Sequence, residues 1–157
     1  MNTPADFPDP SQLKTIYEPF TITTIFTPKE YYGNVMTLCE DYRGALLGVQ
    51  EVGARMQMRY ELPLAELIIN FHDRLKSVSS GFASMEYELS EYKAVDAVKL
   101  DVVIQQEHIE ALSQIVVRDK AEMIGRKLVK KLKEVVPKQS FEVPIQATIG
   151  GKIVARE

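Results

Sequence analysis

The chain has 157 residues, 45% of them hydrophobic and 26% charged, with a formal net charge of -3; this bounds it to one moderate core or two small ones and gives no global attraction to nucleic acid. The single cysteine, Cys39, excludes an internal disulfide and sits in an apolar helical pattern, which reads as a buried thiol of a reducing compartment. No apolar run reaches the length of a membrane span and Met1 to Asp6 lack the basic and apolar regions of a signal peptide, so a soluble, cytoplasmic chain is expected.

Pro4, Pro8, Pro10 and Pro19 fix their own backbone and bias their predecessors away from helix, so residues 1–18 read as an extended interdomain linker. Phe20 to Phe26 is β-branched and aromatic, a strand. Thr27-Pro28-Lys29-Glu30 then has the residues of a capping box with proline at the first helical position, and Tyr32, Val35, Met36, Cys39 and Tyr42 follow at helical spacing. Leu46 to Val52 and Ala54 to Leu62 flank Gly53 as a hairpin; Met56, Met58, Tyr60 and Leu62 alternate with polar residues and face a core. Pro63 opens a second helix with the stripe Leu64, Leu67, Ile68, Phe71 and Leu75, and Phe82 to Tyr92 closes the unit as a strand. The order βαββαβ predicts a ferredoxin-like domain over residues 19–93.

A second, small α+β unit is expected over residues 94–157. Val98 to Ile104 and Ile109 to Val117 read as a hairpin around Gln105-Gln106-Glu107-His108. Asp119 and Glu122 fit the cap and third position of a helix that runs until Pro137. Phe141 to Thr148 and Lys152 to Ala155, joined through Gly150-Gly151, are the last strand candidates.

The strongest chemical signal lies on that last helix. At about 100° per residue, Ala121, Ile124, Leu128, Val129, Leu132, Val135 and Val136 share one arc, and Lys120, Arg126, Lys127, Lys130, Lys131 and Lys133 fill the opposite side. Arg118 to Lys138 carry eight basic and three acidic residues, a local +5 that leaves -8 for the remainder. A lysine-rich helix face is often merely solvated; concentration of the basic charge in an otherwise acidic chain is the pattern of a domain that meets phosphate on one side.

Rival signals are weaker. Gly81-Phe82-Ala83-Ser84-Met85-Glu86-Tyr87 partly mimics the aromatic motif of RNA-recognition domains, but Ser80 and Ser84 replace a basic and a stacking residue, and Glu86 and Glu88 would share the face of Phe82. His72 and His108 stand in no metal-ligand motif. Gly150-Gly151-Lys152 lacks the spacing of a phosphate loop and the helix that must follow one. Acylphosphatases share the βαββαβ order, yet their glycine-rich loop is replaced here by Thr27-Pro28-Lys29-Glu30.

Two stretches are more idiosyncratic than folding alone requires: Asp73 to Tyr87, and Phe141 to Glu157 with its Ile149-Gly150-Gly151-Lys152-Ile153-Val154-Ala155-Arg156-Glu157 ending. Together with Pro28-Lys29-Glu30-Tyr31-Tyr32-Gly33-Asn34-Val35, Arg43-Gly44, Tyr60 to Glu66 and Arg118-Asp119-Lys120-Ala121, they resemble the C-terminal part of the LepA (elongation factor 4) translational GTPases, relatives of elongation factor G. The resemblance spans nearly the whole chain. Val117 departs from the family's histidine, Gln105-Gln106 from its Asn-Gly turn, and Ser140 from its glutamine.

The resemblance implies a domain like the fifth of elongation factor G over residues 19–93 and a LepA-type C-terminal domain over 94–157, truncated before the family's lysine-rich tail. It further implies a ribosome-contacting region whose partners are large-subunit RNA and proteins and tRNA, acting as a monomer. The GTP and magnesium of the whole factor belong to a GTPase domain outside this sequence, so no cofactor, small-molecule substrate or catalytic residue is expected here. Some family members associate peripherally with the inner membrane. The residues assigned to RNA phosphates are Arg118, Lys120, Arg126, Lys127, Lys130 and Lys131, with Lys152 and Arg156 in lesser roles. The alternative is a protein-interaction or regulatory module that uses the ferredoxin-like sheet and touches no RNA.

Overall fold

The computed structural model describes residues 3–9, 15–136 and 143–157. They fall into two compact units, one of Tyr17–Ala94 and one built on Val95–Glu157, each with its own buried cluster. Near the start, Pro4–Asp6 forms a 3-10 turn in which the Thr3 amide donates to Asp6 Oδ2 at 3.1 Å, where the prolines alone suggest extended chain.

In the first unit the order is β1 (Ile16–Pro28), α1 (Tyr32–Asp41), β2 (Ala45–Val52), β3 (Arg55–Pro63), a composite helix and β4 (Ser84–Val95). The sheet order is β2-β3-β1-β4, with β3 antiparallel to β1 and β2, which is the ferredoxin-like arrangement. Alternation decides what enters the core. Ile25, Met58, Tyr60 and Leu62 meet Val35, Leu38 and Cys39 of α1 and Leu67, Phe71 and Leu75 of the composite helix. The same face of β1 buries Thr21, Thr23 and Thr27; Thr21 Oγ1 donates to Leu62 O at 2.9 Å, which satisfies a hydroxyl that burial would otherwise penalise.

Three local expectations change in this unit. The first strand does not stop at Phe26: Thr27 and Pro28 stay in register with Met56 and Arg55, a 3-10 turn occupies Lys29–Tyr31, and α1 begins only at Tyr32. Thr27 is therefore a strand residue whose hydroxyl donates to Pro28 O at 3.3 Å, and it forms no capping box. The second helix is composed of α2 (Leu64–Glu66), a π turn (Leu67–Phe71) and α3 (His72–Val78). The wider π winding keeps Leu67, Phe71 and Leu75 in line but turns Ile68 outward, so Ile68 is 69% exposed instead of joining the stripe. Finally, β4 opens at Ser84 and leaves Phe82 in the loop ahead of it.

The second unit contains β5 (Ala97–Ile104), β6 (Glu107–His108), β7 (Gln114–Val117), α4 (Arg118–Val135), β8 (Ile145–Ile149) and β9 (Lys152–Arg156). The strands β6, β7 and β8 all pair antiparallel with β5, and β9 lies outside β8 at the sheet edge. The expected hairpin exists, but a 3-10 turn at Glu110–Leu112 divides its second arm. Its tip is the two-residue Gln105-Gln106, both left-handed with φ of 51° and 68°, so Glu107 and His108 belong to a strand and not to the turn.

The helix α4 starts two residues earlier than a cap at Asp119 would place it. Val117 holds the cap position without a side-chain bond, and the Arg118 amide donates to Asp96 O at 2.8 Å. Asp119 instead sits in the first turn, where its charge suits the helix dipole. Pro137, Phe141 and Glu142 lie outside the described residues; the strand read from Phe141 is described from Ile145.

Burial along α4 follows Ala121, Gly125 and Val129, one turn apart. A Cβ on Gly125 would stand 3.2 Å from Ala147 Cβ and 3.5 Å from Ala155 Cβ, so the missing side chain is what lets α4 lie this close to β8 and β9. Ile124, Leu128, Leu132 and Val136 pack around the core, whereas Val135, assigned to the same arc, is 72% exposed at the helix end.

Candidate nucleic-acid interface

Because α4 is seated on β8 and β9 through small residues, the direction of its charged side chains is set by the helix period. At about 100° per residue Arg126, Lys130 and Lys133 fall on the flank toward β9, and Lys120, Lys127 and Lys131 on the other. Contacts agree with that division: Lys133 Nζ is 3.0 Å from Glu157 Oε2, and an open groove of about 550 Å³ is lined by Arg126, Val129 and Lys130 of α4 and residues 153–157. The single basic face read from the sequence is thus two ridges.

The groove brings together three of the eight assigned residues, Arg126, Lys130 and Arg156, over apolar Ile153 and Val154. Ile153 is 48% exposed, an aliphatic floor beside guanidinium and ammonium groups. Lys127 and Lys131 stand on the opposite ridge with half-buried Lys120. Lys152 follows the Gly150-Gly151 turn at the head of β9, and Arg118 is placed apart at the start of the helix.

Ion pairing separates these cations further. Arg118 Nε donates to Asp96 Oδ2 at 2.8 Å, and Arg126 Nη2 donates to Glu122 Oε1 at 2.5 Å one turn away. Both pairs are more than half exposed, so each contributes well under about 1 kcal/mol and yields easily to a stronger anion. Lys127, Lys130, Lys131, Lys152 and Arg156 form no ion pair with the described residues. Of the neutralising partners Asp96, Glu122 and Glu157, only Glu122 is signalled by the sequence, through its i, i+4 spacing to Arg126.

Among the described residues no other chemistry is assembled. His72 and His108 are exposed, and among the described residues no cluster of three or more His, Cys, Asp or Glu is placed to hold a metal ion. Gly150-Gly151 is a left-handed two-residue turn between paired strands rather than a cradle at a helix start. No described helix is long and apolar enough to cross a membrane.

A ferredoxin-like unit followed by a basic helix on a small antiparallel sheet defines a class, and comparison with known families agrees. Residues 15–103 match the elongation factor G C-terminus, more than half of the chain, and the chain belongs to that family. Residues 104–157 match the C-terminus of the GTP-binding protein LepA, so the two together form a C-terminal region of the LepA and elongation factor G type. A solved protein of Thermus thermophilus is similar at 29% identity and a TM-score of 0.47, over 50% of this chain and 12% of that one. The matched half of the present chain thus covers about an eighth of that protein's length.

Proposed function

We propose that this chain is the ribosome- and tRNA-contacting region of a LepA-type, GTP-dependent translation factor acting in the cytoplasm. On this reading it performs no chemistry itself; it positions a GTPase domain on the ribosome. The observation that carries the proposal is α4, whose two cationic ridges stand on the domain that matches LepA and include Lys127, Lys130 and Lys131 free of carboxylate partners among the described residues.

The arrangement suits RNA phosphate better than base readout. Ammonium groups on a helix surface act as point charges that contribute position and salt-dependent affinity, not sequence discrimination. Back-translocation, initiation or subunit assembly would each use such a grip, and the geometry of α4 favours none of them. The test is equilibrium binding to 70S ribosomes and to free tRNA across a salt series. Charge reversal at Lys127, Lys130 and Lys131 is expected to weaken binding and to lower the log–log salt slope by about 2 to 3. Indistinguishable binding by the variant would overturn the proposal in favour of a protein-interaction module.

A further inference from the structure

The loop before β4 is held by several bonds around a ring that faces water. Ser79 Oγ is buried, donating to Leu75 O at 2.7 Å and accepting from the Ala83 amide at 3.0 Å. The next two residues are left-handed, Ser80 with φ 52° and Gly81 with φ 83°, and the Gly81 amide returns to Lys76 O at 2.8 Å. Three successive carbonyls then accept from cations: Gly81 O and Ala83 O from Lys76 Nζ, and Phe82 O from Arg55 Nη2 at 2.6 Å.

The product of this bracing is Phe82, 58% exposed. Its ring lies near-parallel to that of Tyr31, 19° between planes and 6.2 Å between centroids. The left-handed pair Ser80-Gly81 ends α3 as a helix C-terminal cap, closed by the Gly81 amide on Lys76 O, and this fixes the direction in which the chain enters Phe82. The two cations complete the pattern. Arg55 and Lys76 direct donors to neutral carbonyls rather than carboxylates, which leaves their positive charge uncompensated beside the loop that carries Phe82.

We infer that Tyr31 and Phe82 form a pre-organised shelf that stacks an unpaired RNA base, with Arg55 and Lys76 facing its phosphate. A braced aromatic surface offers stacking without the entropy of ordering a loop, and adjacent guanidinium and ammonium groups favour the polyanion over an apolar protein surface. This shelf belongs to the first unit, not to α4, and it differs from the strand platform considered from the sequence because Phe82 precedes the strand. The inference rests on the reading that this chain meets RNA.

Two probes test it: a labelled RNA hairpin with unpaired adenines in its loop, and the same hairpin with abasic loop positions. The chain has no tryptophan, so Phe82→Trp installs a single indole reporter on the shelf, excited selectively at wavelengths its seven tyrosines do not absorb. Binding of the adenine hairpin is expected to quench that emission, the abasic hairpin to leave it bright, and Phe82→Ala to weaken the first complex about tenfold without altering the second. Equal affinity of Phe82→Ala and the unsubstituted chain for both hairpins, or an unquenched reporter at saturation, would overturn the inference, and would do so in favour of a protein contact if RNA-free ribosomal proteins quench instead. Sensitivity to reversal on α4 with indifference at Phe82 would sink the shelf alone; indifference to both would sink the proposed function as well.

Discussion

Cys39 shows how one residue's environment can be read from its neighbours in sequence and then given chemical consequences. Its place in an apolar helical pattern indicates a buried thiol, and the structure leaves it fully buried in the first core. Burial pushes the thiol up to about 12, and burial likewise raises the Tyr60 phenol to about 12. Since thiolate is the reactive form, Cys39 should remain unmodified by a disulfide reagent at pH 8 in the folded chain and react on unfolding. Both groups hold their protons in the folded state beyond the pH at which the unfolded chain releases them. The associated stability is therefore intact below about pH 9 and declines as pH rises toward 12, which denaturant midpoints at pH 8 and pH 10.5 would detect. Ser79 makes the opposite point: nothing in Lys76-Ser77-Val78-Ser79 announces that one hydroxyl of the segment will be buried and doubly bonded.

At the scale of elements, periodicity located every strand and helix of the first unit but not their ends. The capping signature at Thr27 is overruled because β3 offers nine consecutive partners to β1, through Pro28, and a ladder bond outweighs a local cap. Ile68 departs from the stripe for a related reason. The π turn at Leu67–Phe71 contains Asn70 with φ of -152°, and Asn70 Oδ1 accepts from Tyr42 OH at 2.5 Å, a contact between residues far apart in sequence that no local pattern encodes. The composite helix makes a sharp distinction between positions less than one turn apart. Ile68→Glu is expected to change stability by less than about 0.5 kcal/mol, whereas Phe71→Ala should cost about 3–5 kcal/mol. A regular α-helix would make both substitutions damaging, so paired denaturation curves decide between the two windings. On α4 the apolar arc and the basic residues were legible, but their partition into two ridges required knowing which side carries β9.

Across the whole molecule, charge is divided by unit. Residues 17–94 hold seven basic and eleven acidic residues, while 95–157 hold eleven basic and nine acidic ones. A polyanion therefore has reason to choose α4 even though the chain is acidic in sum. Lysine acetylation with and without bound tRNA should show protection at Lys127, Lys130, Lys131 and Lys152, while Lys93 and Lys99, held by Glu61 and Glu110, keep the reactivity of the free protein. Uniform protection, or none, would contradict that division. The close approach at Gly125 gives these charges one further property. Because the helix rests backbone against sheet, with Ala147 and Ala155 beneath it, α4 has no room to roll about its own axis. One uncharged residue inserted ahead of Gly125 would swing Arg118 and Lys120 by about 100° relative to the cations that follow, parting Lys120 from Lys127 and Lys131 while leaving the ridge of Arg126, Lys130 and Lys133 and the net charge untouched. The compass bearing of this cationic surface is thus fixed by an atom that is not there.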